Sequence, residues 1–570
     1  MSLSSPSPNH ISRVPGESTF DESFSSNFCL SSSCSSISSN ASTISNDSSI
    51  TPISDQEIAI HIMFFDSIEI ISKRYSQKQE QQGQSMNEIH YKLTGFEIID
   101  VFDSIQDDEM RDEDSKNYGE EYTTEIAVMN DYEFKFKNQE PYGRLLKKNE
   151  FVMFRIKIPI TGVVGIRVDL FHKINKNAFE KIAFCYIYPL DTKESNGMCM
   201  VPITSKLGKI IARFKVDYFI AKPYDGMSIE QIKRKSKTRN LKSWQLKKNG
   251  FDIGHRGAGS ARRFDSYEKL LENTIESFNF AYKKGADMVE LDVQLSKDKI
   301  PIVYHDFNVN LVLQKIDEEM ETFEMNIKDL TYNQLQKLKI KPMLKGKEFY
   351  DFEDNDSKPH GRPFASLRTV LESVDANCGF NVEIKYPQRQ INGNWEAEKS
   401  HDLNEYVDLI LQDLFIYAEE RNILISSFHP EICSLVRQKQ DRYPVLFLTQ
   451  GLTTKWTKYE NPLNHSIEMA AYLALSMDLF GVAVHAEDII KDTSLIQFVK
   501  SKSLILFCWG DDLNNKELIE NLKKQGVDGA IYDKYEFVNI FENRNSFWGY
   551  FLSRIDLLIQ NDDRFHLSKN

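Results

Sequence analysis

Hydrophobic and polar positions divide this chain into three regimes. Residues 1 to about 55 carry almost no apolar run; serine and asparagine dominate, as in Ser31-Ser32-Ser33 and Ser38-Ser39-Asn40. Such a segment buries too little apolar surface to offset its ordering entropy, and a disordered tail is expected. From 57 to 222, short alternating or apolar runs rich in Val, Ile, Phe and Tyr follow one another, for example at 151–158, 163–171, 182–187 and 210–220. With turn residues between them, they predict an antiparallel β-sandwich. From 251 to 545, strand-like runs at 251–254, 288–293, 302–305, 380–385, 423–427, 445–448, 481–485, 504–508 and 529–532 alternate with helical patterns such as 274–284 and 431–440. Repeated βα units predict a TIM-type (β/α)8 barrel in the α/β class.

Some segments qualify that division. The runs include one strand more than a closed eight-stranded barrel needs, and only about eight residues separate the second from the third, too few for a helix. The segment 307–377 is too long for a plain loop. Helices such as 367–374 and an insertion over the mouth of the barrel are expected there. The most apolar long stretch, 467–486, contains Glu468, Asp478 and His485, so it reads as a buried helix followed by a strand rather than a membrane span. An acidic stretch at 103–121 reads as an exposed loop. Residues 223–250 form a linker with a basic run from Lys233 to Lys248. A solvated linker, peripheral contact with an anionic membrane and nuclear import all stay open for it. Residues 546–570 are a C-terminal tail.

Composition narrows the function. Of 570 residues, 41% are hydrophobic, enough for more than one domain. The formal net charge of -14 argues against general nucleic-acid binding but leaves room for a locally positive site. Seven cysteines, with no Cys-x-x-Cys pair, fit a reducing compartment better than a disulfide scaffold. No basic region followed by an apolar run marks a secretory signal, and the cytoplasm is the expected location.

The chemistry gathers at strand ends. Glu290 and Asp292 stand two apart on a strand, so both point to one face, while Val289, Leu291 and Val293 point to the other. In a barrel the shared carboxylate face is the interior, where uncompensated charge is costly. A bound cation removes that cost, and Glu383 at another strand end completes a site. Ion pairs with Arg256 and Lys385 are the plainer alternative. Oxygen ligands select a divalent cation such as Mg²⁺ or Ca²⁺. His255 and His305 end two strands, and imidazoles move protons near neutral pH. Arg256 offers a planar fork to a phosphate and Lys385 a point charge. Together they suggest metal-assisted cleavage of a phosphodiester.

The order of motifs is Gly-His-Arg-Gly-Ala-Gly at 254–259, Glu-Asn-Thr at 272–274, Val-Glu-Leu-Asp-Val at 289–293, Val-Tyr-His-Asp at 303–306 and Val-Glu-Ile-Lys at 382–385. Ser-Ser-Phe at 426–428, Cys-Trp-Gly-Asp at 508–511 and Gly-Val-Asp-Gly-Ala-Ile-Tyr-Asp at 526–533 follow. Over about 250–540 the chain resembles the glycerophosphodiester phosphodiesterase family. Its long N-terminal extension resembles that of the intracellular glycerophosphocholine phosphodiesterases. The resemblance implies Glu290, Asp292 and Glu383 as metal ligands and His255 and His305 as catalytic groups. It also implies a small glycerophosphodiester as substrate, with glycerophosphocholine cleaved to glycerol 3-phosphate and choline. Asn273 would orient the glycerol side or a site histidine, and Trp509 would line the cleft or serve packing. Lysophospholipase D activity on lysolipids, or a catalytically silent scaffold, are the alternatives. Many such relatives carry a starch-type glycan-binding module, but no tryptophan precedes Trp244 here, so glycan binding is not expected; a structural role is the default for 57–222, with lipid or partner binding open.

Overall fold

The computed structural model describes residues 52–54, 56–65, 68–70, 89–98, 121–129, 135–160, 164–188, 194–226, 250–259, 270–314, 320–344, 347–352 and 361–533. The basic run of the linker, the C-terminal tail, most of the acidic stretch and most of the N-terminal tail lie outside them. Ile53, near the end of the expected tail, is buried, and its backbone N–H donates to the Gln438 carbonyl.

The first half is an antiparallel sheet. Strands Glu57–Phe65, Phe151–Pro159, Val164–Asn175, Ala178–Ile187, Asn196–Ser205 and Ile210–Ala221 follow the apolar runs closely. They belong to one continuous sheet that curls over a single core containing Ile60, Ile62, Phe154, Ile156, Ile166 and Val216. The sheet turns back on itself near 122–124. Strand Glu121–Tyr122 pairs with Ile89–Glu97, whereas Thr124–Val128 pairs with Phe151–Pro159.

The second half is a barrel of eight parallel strands: Phe251–Gly254, Met288–Leu295, Gly379–Ile384, Ile423–Ser427, Val445–Thr449, Gly481–His485, Ile505–Trp509 and Gly529–Tyr532. The eighth pairs with the first and the first with the second, so the ring closes. The surplus strand is Pro301–Val303. It lies antiparallel to Met288–Leu295 as the return arm of a hairpin, which is why no helix fits between them. Phe251, Ile253, Met288, Leu446 and Phe507 fill the interior, while Val289, Leu291 and Val293 pack outward in the layer that includes the helices. Helices Ile275–Lys283 and Pro430–Lys439 stand where the periodicity puts them, and Ile467–Ser476 precedes strand Gly481–His485 as expected. No helix among the described residues is long and apolar enough to cross a membrane.

The 307–377 insertion holds more than the helices expected there. Helix Leu367–Ser373 is present, and the segment also carries a small sheet of strands Asn308–Gln314, Met320–Asn326, Leu338–Leu344 and Lys347–Phe352. Val309, Leu311, Ile327, Leu335 and Phe364 of the insertion share one apolar core with Ile302 of the hairpin, which ties the sheet to the barrel.

The two halves pack through helices Leu403–Tyr417 and Pro430–Lys439. Every residue of the second helix is buried. Its charged side chains survive burial because each finds a partner. Lys439 bonds the Pro223 carbonyl and pairs with Asp408, Arg437 pairs with Asp478, and Gln438 meets His61 of the sheet at 3.0 Å. Asn404 bridges to Ile220 and Lys222 of the last sheet strand and its continuation.

Candidate active site

The first barrel strand ends in a tight turn that carries His255 and Arg256. Gly254 has no room for a side chain, since a Cβ there would lie 2.2 Å from the Gly257 carbonyl oxygen, and Gly257 itself has φ of 91°. Arg256 takes φ of 48°. Its backbone N–H donates to Glu290 Oε2 at 2.8 Å. Ser277, in the first turn of helix Ile275–Lys283, accepts from the Ala258 N–H and donates to the Arg256 carbonyl, tying the turn to the helix start.

On the second strand Met288, Glu290, Asp292 and Gln294 all face the interior, a consequence of period-two geometry. Asp292 stands in register with Glu383 of the third strand. Glu290, Asp292 and Glu383 each offer an oxygen within 4.8 Å of the others. Asn273, with φ of 57°, donates from Nδ2 to Asp292 Oδ2 at 2.8 Å and accepts the Asp292 backbone N–H at 3.2 Å. Both bonds serve the Asp292 carboxylate and its strand. Arg256 places Nη1 2.8 Å from Glu272 and Nε 3.5 Å from Asp292. Lys385 lies 3.4 Å from Glu383 and 3.9 Å from Asp292.

The two histidines flank this cluster, with 31% and 29% of their side-chain surface open, so a ligand can reach both. His255 Nδ1 bonds Asp533 Oδ1 at 2.5 Å, and Nε2 lies 4.0 Å from Glu290. His305 Nδ1 bonds Asp306 Oδ1 at 2.6 Å. A carboxylate at Nδ1 fixes ring orientation and leaves Nε2 for a reacting group. The hairpin that carries His305 is held by Gln294, whose Nε2 donates to the Tyr304 and Asp306 carbonyls, both at 2.9 Å.

Electrostatics separates these groups. Burial works against a charged His255, but Asp533 outweighs it and lifts the pKa to about 9. Burial, with Arg256 and Lys385 nearby, pushes His305 well below its ordinary value. Within the carboxylate pair, burial and the neighbouring Asp292 push Glu290 up. Asp292 is held down against burial by surrounding cations, among them Arg256 and Lys385, and by Asn273. Glu383 is raised by burial against the pull of Lys385.

Most of these groups open onto one cleft of about 1040 Å³ at the C-terminal mouth of the barrel. His255, Arg256, Glu290, His305, Glu383 and Lys385 line one part. Trp509, the end of the seventh strand, lies on another wall. Asp292 and Asn273 sit beneath, 1% and 2% exposed. The sequence reading missed Asp533, Asp306 and Gln294 as parts of this site. Gln294 continues the 290, 292 spacing by one more step, and Asp533 directly follows the eighth strand, so both carried a signal of position.

The Glycerophosphoryl diester phosphodiesterase family model matches residues 255–536. Glycerophosphocholine phosphodiesterase GPCPD1 of Homo sapiens is 35% identical over 73% of this chain and 65% of its own. The chain thus spans slightly under two thirds of that relative's length. Glycerophosphodiester phosphodiesterase GDPD3 of Arabidopsis thaliana is 31% identical over 49% of this chain and 75% of its own. A solved glycerophosphodiester phosphodiesterase from Thermotoga maritima matches 52% of this chain and 97% of that one, at 22% identity and a TM-score of 0.33. The motif-bearing barrel and the two relatives agree, and the chain belongs to the glycerophosphoryl diester phosphodiesterase family.

Proposed function

We propose that this chain hydrolyses glycerophosphodiesters, with glycerophosphocholine as substrate and glycerol 3-phosphate and choline as products. The observation that carries the reading is a pair of cleft-facing histidines, each oriented by its own carboxylate, beside a cluster of three carboxylates. The name of the human relative supports the choline ester.

The cluster suits a divalent cation. Three carboxylates converge where burial penalises charge, and Glu290 Oε1, itself buried, has no hydrogen-bond partner among the described residues. Glu290, Asp292 and Glu383 would hold the ion, and an all-oxygen donor set favours Mg²⁺ or Ca²⁺. When bound, such an ion supplies Lewis-acid polarisation of phosphate and hydroxyl oxygens. The protein's own groups supply the rest. Arg256 and Lys385 attract the phosphate. One histidine accepts the proton of the glycerol hydroxyl as it attacks phosphorus, and the other protonates the departing choline oxygen. The resulting cyclic glycerol phosphate is opened by water with the two roles reversed.

The five described cysteines are free thiols, which supports a reducing compartment, and the cytoplasm is the proposed location. Phosphorus NMR of the purified chain with glycerophosphocholine tests the reaction. Glycerol 3-phosphate should form with Mg²⁺ or Ca²⁺ and stop with chelator or with Glu290→Gln. Release of phosphocholine would mean that the other ester bond is cut, and full rates in both His255→Ala and His305→Ala would remove the histidines from the chemistry. Either cation should also raise the unfolding midpoint, by the equivalent of about 2.7 kcal/mol at a hundred times its dissociation constant.

A further inference from the structure

The cleft has a second part with different chemistry. Phe428 follows the fourth strand, Trp456 lies on the loop after the fifth, and Trp509 ends the seventh. The carboxylates stand on the second and third strands, so in the closed ring the aromatic groups come mainly from the other side of the mouth. Trp456 and Trp509 have centroids 5.5 Å apart at 34°, and Phe428 meets Trp509 edge-on at 5.4 Å. Tyr459 lies 6.2 Å from Phe428. These planes are not stacked parallel; they bound one corner of the cleft with ring surfaces in several orientations.

A carboxylate stands in the same lining. Glu396 Oε1 accepts from the Tyr459 hydroxyl at 2.8 Å and Oε2 from the Gln388 backbone N–H at 3.1 Å. Trp456 is 46% exposed, so part of its ring stands open in the cleft it lines. Its position is built from beneath: His485, wholly buried, meets Trp456 at 5.3 Å and 89° and Trp509 at 4.8 Å and 68°. Gly510, with φ of 130°, leaves space for that imidazole, since a Cβ there would lie 3.0 Å from Nε2.

Ring faces beside a fixed carboxylate suit a large, weakly hydrated cation. A trimethylammonium group covers the rings with methyl surface, is attracted by their quadrupoles, and loses little hydration on entry. A primary ammonium asks instead for hydrogen-bond acceptors, and a neutral polyol lacks the charge that the ring quadrupoles and the carboxylate attract. We infer that Phe428, Trp456, Trp509 and Tyr459, with Glu396, form a subsite for the quaternary ammonium of the departing alcohol. The inference rests on the phosphodiesterase reading for the word "departing"; the binding of the cation does not.

The test separates the two. Tetramethylammonium is titrated into the full chain and followed by tryptophan fluorescence and calorimetry, for the wild type, Trp456→Phe, Trp456→Leu and Glu396→Gln. Trp456 lies on an exposed loop, so its replacement leaves the barrel core intact. Trp456→Leu, which keeps apolar bulk but no ring face, should weaken binding at least tenfold. Trp456→Phe should retain most of it, and Glu396→Gln should weaken it severalfold. In turnover, the ratio of kcat/KM for glycerophosphocholine over glycerophosphoethanolamine should fall at least tenfold in Trp456→Leu. Binding that depends on Trp456 in a chain without turnover would uphold the subsite while the reaction failed. Turnover of glycerophosphocholine with unchanged selectivity and unchanged tetramethylammonium binding in Trp456→Leu would overturn the subsite and leave the reaction standing.

Discussion

Asn273 holds Asp292 by both ends of its amide, donating to the carboxylate at 2.8 Å and accepting the backbone N–H of the same residue at 3.2 Å. The clamp joins the loop before a helix to the second barrel strand and fixes which way one carboxylate of the cluster points. Asparagine also tolerates the left-handed backbone at this position. Asn273→Asp would set a second buried carboxylate against Asp292 and remove the donor. Activity on glycerophosphocholine should fall at least about tenfold, and urea unfolding should show a loss of about 1–3 kcal/mol. Unchanged values would show that the amide does not hold Asp292 in place.

Asp533 does for His255 what Asp306 does for His305, by occupying Nδ1. Asp533→Asn keeps the shape but permits the wrong tautomer. With general acid–base catalysis worth about 10²–10⁴-fold, turnover should drop by about a hundredfold with KM little changed. A large rise in KM at constant turnover would instead assign Asp533 to binding.

Gln294 donates to two carbonyls of the loop that carries His305. Gln294→Leu leaves two carbonyls without their donor, and turnover should fall about tenfold. If the loop is the route, the same change made on His305→Ala should cost little more, since residues acting as a unit are non-additive. Full additivity would break the link between the two.

Between the halves of the molecule, His61 is wholly buried, stacked on Phe219 at 4.3 Å and bonded to Gln438. Burial chiefly, with Arg155 and Lys157 adding and the Gln438 bond opposing, lowers its pKa from 6.5 to about 3. The unfolded chain therefore takes up a proton that the folded chain refuses, and stability falls as pH drops through 6.5 toward about 3. The slope from this group is about 1.4 kcal/mol per pH unit, or about 2 kcal/mol at pH 5. His61→Gln should lose that much less stability than the wild type between pH 7 and 5 in urea unfolding; equal losses would locate the acid sensitivity elsewhere.

Strand 288–295 was legible because its apolar and acidic positions alternate, and alternation survives without any knowledge of neighbours. Strand direction is not written in alternation, so the return arm Pro301–Val303 could be counted but not excluded from the barrel. The small sheet at 308–352 escapes a sequence reading because short mixed runs in a long insertion carry no decisive period. Helix Pro430–Lys439 looks amphipathic in sequence, yet its polar face is covered by the antiparallel sheet, a burial that depends on contacts as distant in sequence as His61 and Gln438.

By itself the sequence determined the alternating strands and helices of the barrel, the antiparallel runs before it, and the set of histidines, carboxylates and cations at strand ends. Those features depend on local periodicity and side-chain chemistry, which each segment carries alone. Only the tertiary structure decided that Asp533 meets His255 across the closure of the ring, that Asn273 serves Asp292, and that Phe428, Trp456 and Trp509 share one corner of the cleft. Such pairings join residues up to 278 positions apart. Their geometry comes from barrel closure and loop packing, which no single segment encodes.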